Sequence, residues 1–215
     1  MDTNLKSYIT KYDKWLGEKT IAYSSRVIPV KASLENVKHV LPTNQAEQIL
    51  ANADCITLAN CICRQKYKNC NNPLEVCFIL NHSGEQWIKK GLSRRVSLDQ
   101  ARETLKLANE SGLVHMTLYK PDHEVFALCS CCACCCHDLQ LVLSYGKQYI
   151  LMHADFIAQD DPDLCLHCGA CVDRCQFNAR KLTADTLSYQ ASLCYGCGLC
   201  ITTCPADAIQ MKPRI

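Results

Sequence analysis

The sequence predicts an α+β protein in two parts: a small C-terminal domain built as a pseudo-twofold pair of units, and a mixed α/β, cysteine-rich N-terminal domain. Three observations predict it. Nineteen of the 215 residues are cysteine, and they fall in three groups. The last group is an internal repeat, in which Cys165-Leu-His-Cys168-Gly-Ala-Cys171-Val-Asp-Arg-Cys175 recurs as Cys194-Tyr-Gly-Cys197-Gly-Leu-Cys200-Ile-Thr-Thr-Cys204, 29 residues on. Upstream, helix-capping patterns alternate with short apolar runs of strand type.

The hydrophobic fraction of 48% counts cysteine, so the apolar core proper is modest and something else must help to hold the fold. A net charge of +2 is too small for non-specific nucleic-acid binding. No run approaches the 18 or so apolar residues of a membrane span. Met1 to Thr20 carries seven charges and lacks the apolar stretch of a secretory signal, so a cytoplasmic product is expected. There thiols stay reduced. An odd number of cysteines also fits complete disulfide pairing poorly, and metal is the expected use for them.

In chain order, residues 1–54 read as a helical or mixed lead-in. Asn44-Gln-Ala-Glu47 is a capping box opening a helix through Ala53, and Cys55–Cys63 reads as one buried strand. Residues 55–140 form the cysteine-rich domain. Within it Ser97-Leu-Asp-Gln100 is a second capping box; Ala101, Leu105 and Ala108 follow at helical spacing, and Gly112 supplies the stop. Leu113–Tyr119 and Glu124–Leu128 read as a hairpin around Lys120-Pro121-Asp122-His123. A helix followed by a hairpin also occurs in winged-helix domains, but no helix offers a basic recognition face, and Arg94-Arg95 reads as solvated surface or a partner contact. Leu141–Ala154 lacks linker composition, so close packing is expected against residues 155–215. There each repeat unit follows a short extended stretch (Asp155–Gln159, Thr186–Gln190) and leads into a short helix and a further extended stretch. A unit of this size cannot bury a core alone, whereas two facing units can.

The run C-x2-C-x2-C-x3-C, with Pro205 after Cys204, carries the chemistry. Three thiolates two residues apart wrap one face of an iron–sulfur cubane, and the fourth starts a helix and points at the other cluster. Residues 160–210 thus resemble a bacterial ferredoxin with two [4Fe–4S] clusters. The resemblance implies Cys165, Cys168, Cys171 and Cys204 for one cluster and Cys194, Cys197, Cys200 and Cys175 for the other. Gly169 and Gly198 let backbone amides approach the sulfides. Gln176 stands where the pattern places a second proline, which bears on loop geometry rather than ligation. Zinc on pairs of C-x2-C is the competing reading, disfavoured because zinc rarely uses four cysteines in so tight a run, twice.

The upstream spacing is different. Cys61-Ile-Cys63-Arg64, Cys70, Pro73 and Cys77 precede a helix ending in Gly112-Leu-Val-His115 and the run Cys129-Ser-Cys131-Cys132-Ala-Cys134-Cys135-Cys136. With the C-terminal run, this order resembles a prokaryotic ferredoxin-type family, over most of residues 40–215. That resemblance implies a further metal centre and brings no assigned reaction. The expected upstream ligands are Cys61, Cys63, Cys70, Cys77, Cys131, Cys132, Cys134 and Cys135, in one or more additional Fe–S clusters. If Cys129–Cys136 is extended, Cys132, Cys134 and Cys136 share one face and Cys129, Cys131 and Cys135 the other. Cys55 reads as a small buried hydrophobe and Cys136 as either hydrophobe or ligand. His137 is the best non-cysteine ligand, whereas His115 and His82 read as core or surface histidines. Arg64 either donates to cluster sulfur, steadies an anion or lies at the surface.

No nucleotide loop, dinucleotide fingerprint or nucleophile elbow is present. The expected function is electron transfer, with redox proteins as donor and acceptor, no nucleic acid, no membrane span, and a homo-oligomer left open. Two alternatives remain at this stage. One is a small reductase whose upstream cluster has an open iron, and the other is an Fe–S redox sensor.

Overall fold

The computed structural model describes residues 2–18, 22–30, 45–121 and 124–214. Helix α1 (Thr3–Gly17) begins where the Asp2 carboxylate accepts from Leu5 N–H, and it buries Leu5 and Tyr12 against Leu141 and Ile150. Strand β1 (Ser25–Ile28) and helix α2 (Gln45–Ala51) follow; Asn44, the expected cap of α2, lies outside the described residues. The expected strand over Cys55–Cys63 is shorter in the structure. Strand β2 (Ile56–Asn60) ends at a register shift between Ala59 and Asn60. Cys61 N–H then donates to Leu74 O, and Cys61 becomes the N-cap of helix α3 (Ile62–Tyr67), which makes Cys63 helical.

Strand β3 (Glu75–Leu80), helix α4 (Asn81–Lys89), strand β4 (Ser93–Arg95) and helix α5 (Leu98–Glu110) come next. The α5 capping box forms as expected, with both Ser97 and Gln100 engaged, and the helix stops just before Gly112 at φ +72°. Strands β5 (Val114–Tyr119) and β6 (Val125–Cys131) make the expected antiparallel hairpin, with Asp122 and His123 outside the described residues. Helix α6 (His137–Tyr145) and strand β7 (Leu151–Met152) complete this part.

The seven strands form one sheet in the order β4-β2-β3-β6-β5-β1-β7, antiparallel except for β1 with β7. Alternation gives the sheet two unlike faces. Leu58, Phe78 and Leu128 pack with Ala101 and Leu105 of α5 and with Leu50 of α2. On the opposite face Cys77 sits directly across from Cys129, with Cys131 two residues further along β6. The apolar layer and the thiol layer are thus consecutive residues of the same strands. At the β4 edge Arg94 is solvated and paired with Glu75 through two hydrogen bonds of 2.8 and 2.9 Å.

The C-terminal part has two ribbons: strand β8 (Phe156–Asp160) pairs with β11 (Ile209–Pro213), and β9 (Arg180–Thr183) with β10 (Thr186–Tyr189). The fourth cysteine of each unit does not start a helix. Helix α7 (Ala170–Asp173) ends before Cys175, and a 3-10 turn at Ile201–Thr203 ends before Cys204. In each unit a short helical turn precedes the fourth cysteine, which emerges after its end.

The two parts are joined by specific bonds. Val30 N–H donates to Cys197 O at 2.9 Å and Ala154 N–H to Tyr195 O at 3.0 Å. Tyr195 stacks with both His153, at 4.0 Å, and Phe177, at 4.5 Å. Arg174 donates to Asn109 O and Glu110 O at the C-terminus of α5, where a cation is favoured.

Candidate metal centres

The repeat builds two cavities. Cys165, Cys168, Cys171 and Cys204 line one, together with Pro205. Cys175, Cys194, Cys197 and Cys200 line the other, together with Gly198. Each expected quartet thus faces one space, and the fourth cysteine of each unit crosses to the opposite cavity. A single buried core holds Cys171, Cys194 and Cys200 with Cys175 and Cys204 against it, so the two cavities share a wall. Arg180 is part of that wall. Its buried guanidinium donates to both Asp160 carboxylate oxygens, at 2.5 and 2.7 Å, and lies 3.9 Å from Cys171 Sγ. The first cavity is the outer one, since Cys168 is exposed and the neighbouring Leu166 is 68% exposed.

Upstream the cysteines sort into two sets in a way the sequence analysis did not expect. Strand β6 ends at Cys131, and Cys132–Cys135 form a turn in which Cys135 and Cys136 N–H both donate to Cys132 O. This breaks the expected extended alternation. Cys129, Cys131 and Cys136 fall to one side, and Cys132, Cys134 and Cys135 to the other.

The first set is a closed ring of six thiols. Each sulfur interacts with two neighbours, in the order Cys61, Cys63, Cys136, Cys131, Cys129, Cys77 and back to Cys61. All six line one cavity of about 350 Å³. Cys61 is driven low, chiefly by hydrogen bonds from Cys63 and Cys77. Cys131 is held up first by Cys129 and then by burial, and Cys136 first by Cys131. Burial and neighbouring thiols oppose ionisation of Cys131 and Cys136, an opposition that a polyvalent cation would relieve. Helix α6 starts at Cys136, so its positive end adds to the site.

His137 stands at the rim, with Nδ1 3.4 Å from Cys63 Sγ and Nε2 3.0 Å from Asn4 Nδ2. The same cavity is walled by Tyr8, Tyr12, Trp15 and Asp138. Tyr12 Oη donates to the buried Asp138 carboxylate at 2.9 Å, and burial raises the pKa of that carboxyl.

The second set is Cys70, Cys132, Cys134 and Cys135, whose four sulfurs all lie within 4.8 Å of one another. Arg64 spans the two sets. It is almost fully buried, donates from Nη2 to Ser130 O at 3.0 Å and approaches Cys132 Sγ at 3.6 Å, while its charge also acts on Cys61. Its Nε–H is buried without a protein partner. Its burial excludes the surface role for Arg64.

All eight expected upstream cysteines therefore lie in the two sets. Cys129 and Cys136 complete the ring and were missing from the expected ligands. Their signal was present: Cys129 shares a strand face with Cys131, and Cys136 sits at a helix start. Cys55 is buried at the mouth of β2, in neither set. His115 is a core histidine hydrogen-bonded to Ser130 Oγ at 3.1 Å, with its pKa lowered to about 4 by burial, and His82 is exposed beside Gln86.

The departure at Gln176 also has a structural reason. Gln176 Oε1 accepts from Ala133 N–H at 2.9 Å, and Nε2 donates to Gly112 O at 3.2 Å. The residue after Cys175 thereby ties the second cavity to the Cys132–Cys135 turn, which proline could not do. Cys131, Cys136 and Cys197 belong to one contiguous buried core, with Cys129 and Cys175 packed against it.

Two four-cysteine cavities in a pseudo-twofold pair give the C-terminal part the arrangement of a ferredoxin-type domain. Residues 164–208 match the family model of the 4Fe-4S dicluster domain, so the C-terminal part is a ferredoxin-type dicluster domain. No curated protein matches the chain. Among the described residues no helix is long and apolar enough to cross a membrane.

Proposed function

We propose that the protein is an electron-transfer protein in which residues 155–215 carry two [4Fe–4S] clusters and residues 55–140 carry a further, larger iron–sulfur cluster in the six-thiol ring. The assignment of Cys165, Cys168, Cys171 and Cys204 to one cubane and Cys175, Cys194, Cys197 and Cys200 to the other belongs to this reading. The observation that carries it is the shared core: ring sulfurs Cys131 and Cys136 pack in the same buried cluster as Cys197 and Cys175 of the inner ferredoxin cavity. The inner cavity in turn shares the Cys171–Cys194–Cys200 core with the outer one. Electrons would pass along this line. The outer cavity, bordered by exposed Leu164 and Leu166, faces the redox partner, and the ring is the inner end. Bound clusters supply one-electron chemistry, while the chain excludes water from the inner two sites and balances thiolate charge with buried Arg64 and Arg180. Nineteen free cysteines fit a reducing, oxygen-poor compartment such as the cytoplasm.

The test is the iron and acid-labile sulfide content of the anaerobically purified chain. Two cubanes account for about eight irons; the proposal requires more than eight, with the excess lost in a Cys129→Ala, Cys131→Ala variant. A count of eight in the wild type would remove the ring from the electron path.

A second reading, a small reductase, is favoured by one observation: the ring opens on a cavity of about 350 Å³ that also holds the buried Tyr12–Asp138 pair. An open iron facing that cavity would bind cyanide or carbon monoxide, whereas a pure relay, with every iron closed by thiolate, would not.

A further inference from the structure

The geometry points to a single zinc ion held by Cys70, Cys132, Cys134 and Cys135 in a closed, mononuclear four-thiolate site, distinct from the iron–sulfur centres. The first argument is size. A tetrahedron with metal–sulfur bonds of about 2.3 Å has sulfur–sulfur edges of about 3.8 Å. The sulfur–sulfur distances here are 3.8 Å for Cys70–Cys132, 3.9 Å for Cys70–Cys135 and 3.8 Å for Cys134–Cys135. A cubane puts each thiolate on a different iron with sulfides between, so its cysteine sulfurs stand at the corners of a larger figure. The ferredoxin quartets provide the comparison within the same molecule. Among the described residues the Cys70 set is the one group of three or more potential ligands that closes to within 4.8 Å. A disulfide is excluded as well, since its sulfurs would stand about 2.05 Å apart.

The second argument is the surroundings. Zinc with four thiolates carries net negative charge, and the donors around the sulfurs suit it. Arg64 Nη2 lies 3.6 Å from Cys132 Sγ, and Asn72 Nδ2 lies 3.5 Å from Cys70 Sγ. Such outer donors orient metal-bound ligands. Asn69 Nδ2 donates to Cys134 O at 2.8 Å, closing the loop from Lys68 to Leu74 onto the Cys132–Cys135 turn. That loop has no helix or strand of its own, and an ion at Cys70 would anchor it. Four protein sulfurs leave no open position, so the role is structural. The ion would fix the turn whose flanking residues, Cys131 and Cys136, belong to the ring.

The inference does not depend on what the ring binds. Metal analysis of the full chain, purified anaerobically, should give one zinc per chain in addition to the iron. X-ray absorption at the zinc edge should show four sulfur neighbours at about 2.3 Å and no iron beyond them. A Cys134→Ala variant, which removes the most exposed of the four ligands, should lose the zinc while keeping the iron and sulfide of the wild type. Should that variant fail to fold, the wild-type zinc edge still decides. Substoichiometric zinc, nitrogen or oxygen neighbours at the edge, or loss of about four irons with sulfide in Cys134→Ala would each overturn the assignment. An iron total of eight with one sulfur-bound zinc would refute the cluster in the ring and leave this site standing.

Discussion

Arg180 shows how one side chain can set the behaviour of two redox centres. Its guanidinium is buried between the ferredoxin cavities, paired with Asp160 and close to both Cys171 and Cys200. A positive charge there favours the reduced, more negative form of either cluster. Arg180→Gln should therefore lower both midpoint potentials, by an amount on the order of tens of millivolts at the effective dielectric of such sites. Asp160→Asn should move them the opposite way. Redox titration followed by EPR reads both shifts, and unchanged potentials in both variants would mean that the pair serves folding alone. The fold also feels the change, because stripping the partner from a buried charge costs about 3–5 kcal/mol. Asp160→Asn, which leaves the buried Arg180 guanidinium without its carboxylate, should accordingly melt earlier than Arg180→Gln, which leaves the more accessible Asp160.

At the scale of elements, the repeat is symmetric in sequence and unequal in space. Gly196 and His167 occupy equivalent positions, and both adopt left-handed backbone, at φ +77° and +51°. His167 has room to do so, and its Nδ1 accepts from Leu187 N–H at 3.0 Å. A Cβ at Gly196 would lie 2.0 Å from Phe156 O, because this loop is pressed against β8. Gly196→Ala should therefore disrupt the inner cluster loop and reduce the iron content by about four per chain, whereas His167→Ala should keep it. Full iron retention in Gly196→Ala would show that β8 can move aside. Much of this scale was legible in the sequence: the capping box at Ser97, the stop at Gly112 and the hairpin of β5 and β6 all rest on local patterns. The fates of Cys63 and of the Cys129–Cys136 run were not, because each depends on a turn made by contacts from distant residues. Cys61 leaves its strand where Leu74 accepts its N–H, and the run bends at Cys132 rather than continuing β6. A period-2 pattern has no means of showing where a strand stops when six of the eight residues from Cys129 to Cys136 are cysteine.

For the whole molecule, the C-terminal part has little core besides its cysteines. Its buried cluster is Phe156, Ala158, Ala179, Ile209 and Met211 around three thiols. Metal binding there amounts to folding free energy. Removing all iron with a chelator under reducing conditions should unfold residues 155–215, seen as rapid cleavage of that segment by protease. The seven-stranded sheet, with Leu58, Phe78, Leu80 and Leu128 packed under α5, should outlast it. Equal resistance of both parts would show that the metal contributes little to the fold. That the C-terminal cysteines gather around two spaces was legible because the motif is local and repeated. The division of the upstream cysteines became visible only when β3, β6, α3 and α6 came together.

The doublets Cys131–Cys132 and Cys135–Cys136 each send adjacent sulfurs to different sites, the first of each pair to one and the second to the other in opposite order. On the assignment proposed, ten thiols must be partitioned six and four, and an unfolded chain offers many wrong partitions of comparable chelating power. The polypeptide can choose correctly only after β6 and the Cys132–Cys135 turn have formed, since it is the backbone that points neighbouring residues apart. On that assignment, correct maturation would require the sheet to sort the thiols before metal binds. An ion bound earlier would favour a mis-sorted chain.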